Sequence, residues 1–350
     1  MVLIVLLVMM TVGLLFVSGC GRASDYIGQV HIYCFGDYFD PDLIYSFEDE
    51  TRIQVVLDTF DTNEELYPVV KNRTVDYDLI CCSDYMVCKL MKEGLLDKVD
   101  KEKLSNYKYM DEKALKMLQN IDKNNDYEVP HTWGTYGIIY NPTMIDGPMP
   151  KSWDDLWDAR FKNQIIMTDS LRESFMVALM RGGYSLNSKD LDELSYARDE
   201  LLKQKELVYK YSNDSTRDLM IGGAAALGVI TSGEVLYAQE CNEDLEYVIP
   251  EEGSELWTDC WAITSYAKEK DYAYKFLDYM LRPENAYKNF EYLTYAIPNT
   301  GMYELMDEEE RNSDIVFPSD KQLKKCQVLE NLDNKTNKIY SQFWKEVKGK

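Results

Sequence analysis

Between residues 29 and 82 the chain alternates short apolar runs with longer amphipathic ones, and that alternation leaves few folds open. QVHIYCF (29–35) reads as a buried strand, DLIYSFEDETR as a helix with one polar face, IQVVLDTF (53–60) as a second strand and YDLICC (77–82) as a third. A further helix is expected from near Ser83 to Gly94. Strand–helix–strand order needs crossover connections, and so implies α/β architecture, a mostly parallel sheet with helices on both faces. Ligands of such sheets bind at the loops that follow the strands' C-terminal ends. The residues there are Phe35, Asp37 and Tyr38 after the first strand, and Ser83, Asp84 and Tyr85 after the third. Two of them have competing structural roles: Ser83 as a helix N-cap and Tyr38 as a core residue.

A second α/β unit starts after the linker-like YNPTMIDGPMPKSW. NQIIMTD (163–169) reads as a strand, and SLRESFMVALMRGG as a helix closed by Gly182 and Gly183. GGAAALGVITSG (222–233) and EYVIPEEG (246–253) follow, and LWTDCWAITSYA (256–267) reads as an extended segment crossing between the units. AYKFLDYMLRPENAYKNFEYL is a pair of helices, the second begun by Pro283, and the tail from Ser313 onward is expected to be helical and amphipathic. A chain of 350 residues exceeds what one core usually fills. Two lobes are therefore expected, 28–133 with 260–302 and 134–259 with 303–350.

The N-terminal run from Met1 to Val17 has no charged residue and is at the short limit for a membrane span. It fits the hydrophobic region of a secretory signal, residues 1–19. Ser18 and Gly19 precede Cys20, giving Val-Ser-Gly-Cys. The pattern resembles a bacterial lipobox, in which Cys20 is lipidated and becomes the new N-terminus, with 20–27 as a short tether. No Lys or Arg precedes the run, and a transmembrane anchor with an incidental cysteine is the competing reading.

Charge and composition exclude more than they assign. With 38 basic and 61 acidic residues the net charge is −23. Such a surface repels nucleic acid and attracts cations, although solubility alone also accounts for acidity. The cysteines after Cys20, at 34, 81, 82, 88, 241, 260 and 326, form no C-x-x-C pair, and neither His31 nor His131 lies near a cysteine motif, so no zinc site is expected. These thiols read as small buried hydrophobes, with a disulfide from Cys34 left open. DKNNDY (122–127) begins like a calcium loop but has Tyr127 at the sixth position and Trp133 where the bidentate Glu belongs. GGAAALG is not a phosphate loop, no G-x-S-x-G occurs, and the histidines have no evident nucleophile partner. No catalytic residue, metal or cofactor is expected.

What remains is a set of acids accompanied by aromatics: Phe35-Gly-Asp37-Tyr38, Asp84-Tyr85 and Trp257-Thr-Asp259, in a chain with 27 Tyr. Asp169 and Glu173 lie one helical turn apart at a strand-to-helix junction, where Ser170-Leu-Arg-Glu173 also has capping-box spacing. This set suits a flexible dication: ammonium groups need carboxylate acceptors, methylene stems need flat apolar walls, and an aromatic face attracts the cation.

Several stretches together resemble the spermidine/putrescine-binding proteins, extracytoplasmic receptors of ABC-type polyamine importers. They are YCFGDYFDPDLIYSFEDETRIQV, YDLICCSDYMVCKLMKEGLLDKVDK, DYEVPHTWGTYGIIYN, KSWDDLWDARFKNQIIMTDSLRESFMVAL, EEGSELWTDCWAI, the helix ending LRPE, and YAIPN, within residues 28 to 346. The resemblance implies a periplasmic-binding-protein-like fold, two α/β lobes joined by crossing strands with a polyamine in the cleft. It also implies permease subunits as partners and a monomeric, lipid-anchored receptor outside the cytoplasm. It assigns ligand contacts to Phe35, Asp37, Tyr38, Ser83, Tyr85, Glu173, Trp257, Asp259 and Tyr295; Asp84 and Asp169, from the set of acids above, and Thr231 complete the candidate ligand site. Two positions depart from the pattern. Ser170 stands where some members have a second acid, and Thr231 where a cleft Trp is typical, which leaves the preferred amine open. The rival readings are a receptor of the same fold for a sugar or another organic cation, a secreted hydrolase using two carboxylates, and a surface adhesin.

Overall fold

The computed structural model describes residues 26–36, 38–213 and 215–349. The expected signal, tether and lipidated Cys20, and the candidate Asp37, lie outside the described residues. Among the described residues nine strands form one continuous sheet: β1 Gly28–Phe35, β2 Ile53–Phe60, β3 Leu79–Ser83, β4 Val129–Tyr140, β5 Ile165–Met167, β6 Val208–Tyr211, β7 Leu227–Thr231, β8 Glu246–Val248 and β9 Leu256–Ile263. Their order is β2-β1-β3-β9-β4-β7-β5-β6, with β8 also paired to β4.

The first three strands are parallel, as the strand–helix alternation requires. Successive side chains of these strands enter opposite layers. Val30, Ile32, Cys34, Leu79 and Cys81 pack under the helices Pro41–Thr51 and Lys270–Met280, whereas Tyr33, Ile80 and Cys82 pack under Asn63–Asn72 and Asp84–Lys92. Both faces are therefore apolar, which is why these strands read as unbroken hydrophobic runs. The second half repeats the plan. Parallel β5, β6 and β7 lie between a layer containing Phe175, Leu194 and Tyr340 and another containing Met220, Val235 and Ala238.

The halves meet at two long antiparallel strands. The start of β4 pairs with β9, and its end pairs with β7 and β8. β9 in turn pairs antiparallel with β3. The two-lobed α/β expectation therefore holds, each part being mostly parallel and joined through the crossing strands β4 and β9.

Three local expectations are revised. The strand within 163–169 is only Ile165–Met167. The tail is not continuously helical from Ser313. Helices occupy Asp320–Leu323 and Asn334–Gly349, while Gln327 between them joins the start of β9, receiving the Leu256 N–H at 2.9 Å and donating to Ser254 at 2.8 Å. Tertiary pairing there overrides helical pattern. Cys34 is a free, buried thiol, so the bridge left open is not formed, and Cys81, Cys82 and Cys260 are likewise buried and free.

No helix among the described residues is long and apolar enough to cross a membrane. Nor do these residues hold a cluster of three or more metal-ligating side chains. In the calcium-loop look-alike, Asp122 accepts backbone N–H groups of Asn124 and Tyr127 at 3.2 and 2.8 Å and so folds its own turn.

Candidate functional site

The crossing strands present one face on which alternate residues line up. In β9 these are Trp257 and Asp259, and in β4 they are Thr132, Gly134 and Tyr136. The register sets them in rows. Asp259 lies between Ser83 of β3 and Thr132 of β4, and Trp257 lies opposite Gly134. Tyr136, opposite Thr231 of β7, donates its N–H to the Glu255 carbonyl at 3.2 Å. The C-terminal ends of β3 and β7 thus flank the crossing strands.

Asp259 is the best-held acid in this face, only 7% exposed. Ser83 donates its hydroxyl to one carboxylate oxygen at 2.7 Å, and Tyr38 donates to the other. The Tyr38 hydroxyl also lies 2.8 Å from Thr132 Oγ1. Ser83 makes no side-chain cap to the helix that follows it, so its hydroxyl serves Asp259. Asn63 in turn donates to Ser83 Oγ at 3.0 Å. Burial pushes the Asp259 carboxyl up, opposed by the hydrogen bonds from Tyr38 and Ser83.

Other carboxylates crowd the same region. Asp84, 2% exposed, holds the Tyr85 N–H at 2.6 Å with one oxygen and has no partner for the other. Its carboxyl is driven well above the ordinary range by burial, with the Asp259 charge adding to the effect. Glu173 opens the helix Leu171–Arg181. Ser170 makes no side-chain bond to that helix's backbone and instead donates its hydroxyl to Glu173, so the reciprocal capping box is not formed. Burial raises the Glu173 carboxyl as well. Glu255, 4% exposed, is raised further still, first by burial and then by the charges of Glu173 and Asp84.

Aromatic rings wall these acids. Trp257 meets Tyr295 edge-on with ring centres 5.5 Å apart. The Trp257 ring lies on Gly134, where a Cβ would come within 2.7 Å of it, so glycine is required there by close approach. Tyr295 donates to Glu234 at 2.9 Å and is pressed against the backbone of Gly233, just beyond Thr231. Tyr85 packs against clusters from both halves of the molecule. Phe35 tilts against Tyr38 at 5.5 Å. His131 is buried beside Tyr38, Phe39 and Trp261, and burial lowers it to about 4, so it serves as a neutral packing ring.

The structure thus gathers Phe35, Tyr38, Ser83, Asp84, Tyr85, Glu173, Thr231, Trp257, Asp259 and Tyr295 around the crossing strands. Asp169 differs from these acids in being neutralised by the fold: its carboxylate pairs with Lys348 at 2.7 Å, and its side chain is 43% exposed. Four residues that belong to the constellation were not singled out from the sequence: Thr132, Tyr136, Glu255 and Asn63. Period-two alternation around Trp257 and Asp259 would have pointed to Glu255, two residues before Trp257. Among the described residues, none of Asp84, Glu173, Glu255 and Asp259 forms an ion pair with a protein cation within 4 Å. Aromatic walls beside carboxylates that no protein cation pairs with can hold a cation with an apolar body.

Comparison with known proteins agrees with this picture. The profile of the family described as bacterial extracellular solute-binding protein matches residues 42–319. The spermidine/putrescine-binding periplasmic protein of Salmonella typhimurium is 34% identical over 328 residues, 93% of each chain. Among solved structures, the spermidine/putrescine ABC transporter substrate-binding protein PotD of Streptococcus pneumoniae superposes with a TM-score of 0.83 at 38% identity, covering 92% of this chain and 99% of that one. A putative spermidine/putrescine ABC transporter protein from Listeria monocytogenes gives 0.85 at 39% identity, covering 91% and 98%. With most of its length matched in sequence and in fold, this chain belongs to the family of bacterial extracellular solute-binding proteins.

Proposed function

We propose that this protein is the polyamine receptor of an ABC importer, binding spermidine or putrescine between its two lobes and delivering it to the permease subunits. The observation that carries this reading is the set of buried acids that form no ion pair with a protein cation within 4 Å, above all Asp259, beside the Trp257 and Tyr295 rings. A buried charge without a partner is costly and shifts toward neutrality. An entering ammonium supplies the partner, and the rings supply the apolar wall and the cation–π attraction. The names of the relatives point to the same ligand class.

On this reading the lobes are 28–133 with 260–302 and 134–259 with 303–350, and they close on the ligand about β4 and β9. The receptor acts as a monomer, held at the outer face of a membrane by lipid on Cys20. It takes up and releases its ligand without chemistry. A thermal-shift series with putrescine, spermidine, spermine and common sugars tests the ligand class. A polyamine at 100 times its dissociation constant stabilises the folded state by about 2.7 kcal/mol, and a response to sugars alone refutes the reading. Cys20→Ala tests the anchor separately: unchanged processing and membrane retention would refute it.

A further inference from the structure

Glu255 presents a feature that Asp259 does not. Both oxygens of Asp259 are occupied by protein hydroxyls. Glu255 is equally buried, yet its Oε2 has no hydrogen-bond partner, and neither has the indole Nε1 of Trp257 two residues on. The Glu255 backbone is fixed on both sides, by the Tyr136 N–H on one and by the bridge to Gln327 on the other. Leu256 enters the opposite apolar layer with Trp133, so Glu255, Trp257 and Asp259 alternate onto one face. Four residues of extended strand separate the two acids by about 13 Å between Cα atoms, with the indole midway. On the Glu255 side the neighbouring strand contributes Thr231, a small side chain opposite Tyr136. Arg172, whose charge reaches both Glu173 and Glu255, has its terminal nitrogens on the Glu330 carbonyl and Asn187 Oδ1, at 3.2 and 3.1 Å; its buried Nε has no hydrogen-bond partner, but Arg172 forms no ion pair with either acid within 4 Å.

A carboxylate this deeply buried, with an open oxygen, is destabilising unless something brings a donor to it. We propose that Glu255 is a ligand-binding residue that accepts an ammonium group at the opposite end of Trp257 from Asp259. The cleft then selects linear amines with cations at both ends of an apolar chain. Asp259, pre-organised by Tyr38 and Ser83, holds one end. Trp257 covers the methylenes, and Glu255, with Glu173 and Asp84 nearby, holds the other. The inference rests on the polyamine reading and adds to it a residue and a selection rule: diamine over monoamine.

The test is calorimetric titration of the wild type, Glu255→Gln and Asp259→Asn with putrescine, with 1-aminobutane measured by competition. Removing a buried charge partner of an ammonium is expected to weaken putrescine binding about thirtyfold or more in Glu255→Gln. The preference for putrescine over 1-aminobutane should fall by a similar factor. Gln matches Glu in shape and never ionises, whereas burial makes the ionised form of Glu255 costly, so the melting temperature of the unliganded variant should equal or exceed that of the wild type. A lowered melting temperature with an unchanged putrescine to 1-aminobutane ratio would mean that Glu255 is only structural, and would overturn the proposal. So would wild-type affinity in Glu255→Gln alongside weak binding in Asp259→Asn, an outcome that leaves the receptor reading intact. A wild type that binds neither amine would overturn the receptor reading and this inference with it. Should Glu255→Gln fail to fold, Glu255→Asp retracts the carboxylate while keeping its charge, and the same loss of preference is expected.

Discussion

Substituting Asp259 by Asn separates charge from shape at the centre of the face. The carboxylate accepts hydroxyls from Tyr38 and Ser83 on its two oxygens. In Asp259→Asn the carbonyl oxygen keeps one of them and the amide donates to the other. The Tyr38 hydroxyl can turn to Thr132 Oγ1, 2.8 Å away, so no buried donor is orphaned. Burial raises the folded-state value of Asp259, so the unfolded state releases this proton at lower pH than the folded one. The acid's contribution to stability is therefore present below its unfolded value and lost as pH rises through the folded value. The neutral amide avoids that loss, and the unliganded variant should melt at or above the wild-type temperature at neutral pH. Ligand binding should suffer, because a buried ammonium then lacks its charged acceptor. The cost is about 2 to 5 kcal/mol, a weakening of about thirtyfold or more. Calorimetric titration with putrescine reads it, with Asp169→Asn as the control. That acid is 43% exposed on Lys348, where an ion pair contributes under about 1 kcal/mol, and its loss should leave affinity unchanged. Equal affinity in wild type and Asp259→Asn, or an equal loss in both variants, would refute the placement of the cation.

Three further outcomes follow from the geometry. Gly134→Ala sets a Cβ within 2.7 Å of both the Trp257 ring and Ser232 Oγ, so about 1 to 3 kcal/mol of stability should be lost by overpacking, together with amine affinity and a shift in tryptophan emission. Glu128, 1% exposed, is raised from 4.5 to about 8 by burial and the nearby Asp122 charge; the wild type should lose stability as pH rises through that range. Glu128→Gln should be spared this loss, gaining at most about 5 kcal/mol over the wild type above pH 8, as read by chemical denaturation at pH 5 and pH 8.5. Amine affinity should rise as pH rises above the ordinary carboxylate range, because Asp84, Glu173, Glu255 and Asp259 are all raised in the unliganded protein and must ionise to meet a cation. Heats that depend on the buffer's own protonation enthalpy would report the released protons, and an affinity flat across this range would contradict the assignment.

The first half of the sheet was legible because its strands are buried on both faces and its crossovers impose a simple order. β2 was read with its observed limits, Ile53–Phe60. β4 carries a weaker signal: Pro130, His131, Gly134 and Gly137 interrupt its apolar pattern. It is a strand because β9, β7 and β8 pair with it, and Pro130 is accommodated where the register shifts. Trp257 and Asp259 stood out as an aromatic beside an acid, whereas Glu255 lies between EYVIPEEG and LWTDCWAITSYA and was not singled out. Its burial is set by Tyr136 and Gln327, more than 70 residues away on either side. The pairing of Asp169 is equally hidden from local pattern, since its partner Lys348 arrives on the last helix, 179 residues on. Local pattern carries strand order and residue type, whereas which acid is neutralised by the fold depends on contacts distant in sequence.

A crystal structure of the protein grown with putrescine would show whether these acids hold a diamine. The diamine should lie along the Trp257 indole, with one ammonium on Asp259 and the other toward Glu255 and Glu173, enclosed between the halves of the sheet. Putrescine bound anywhere else, or a ligand-saturated protein whose strand face carries no amine, would contradict it.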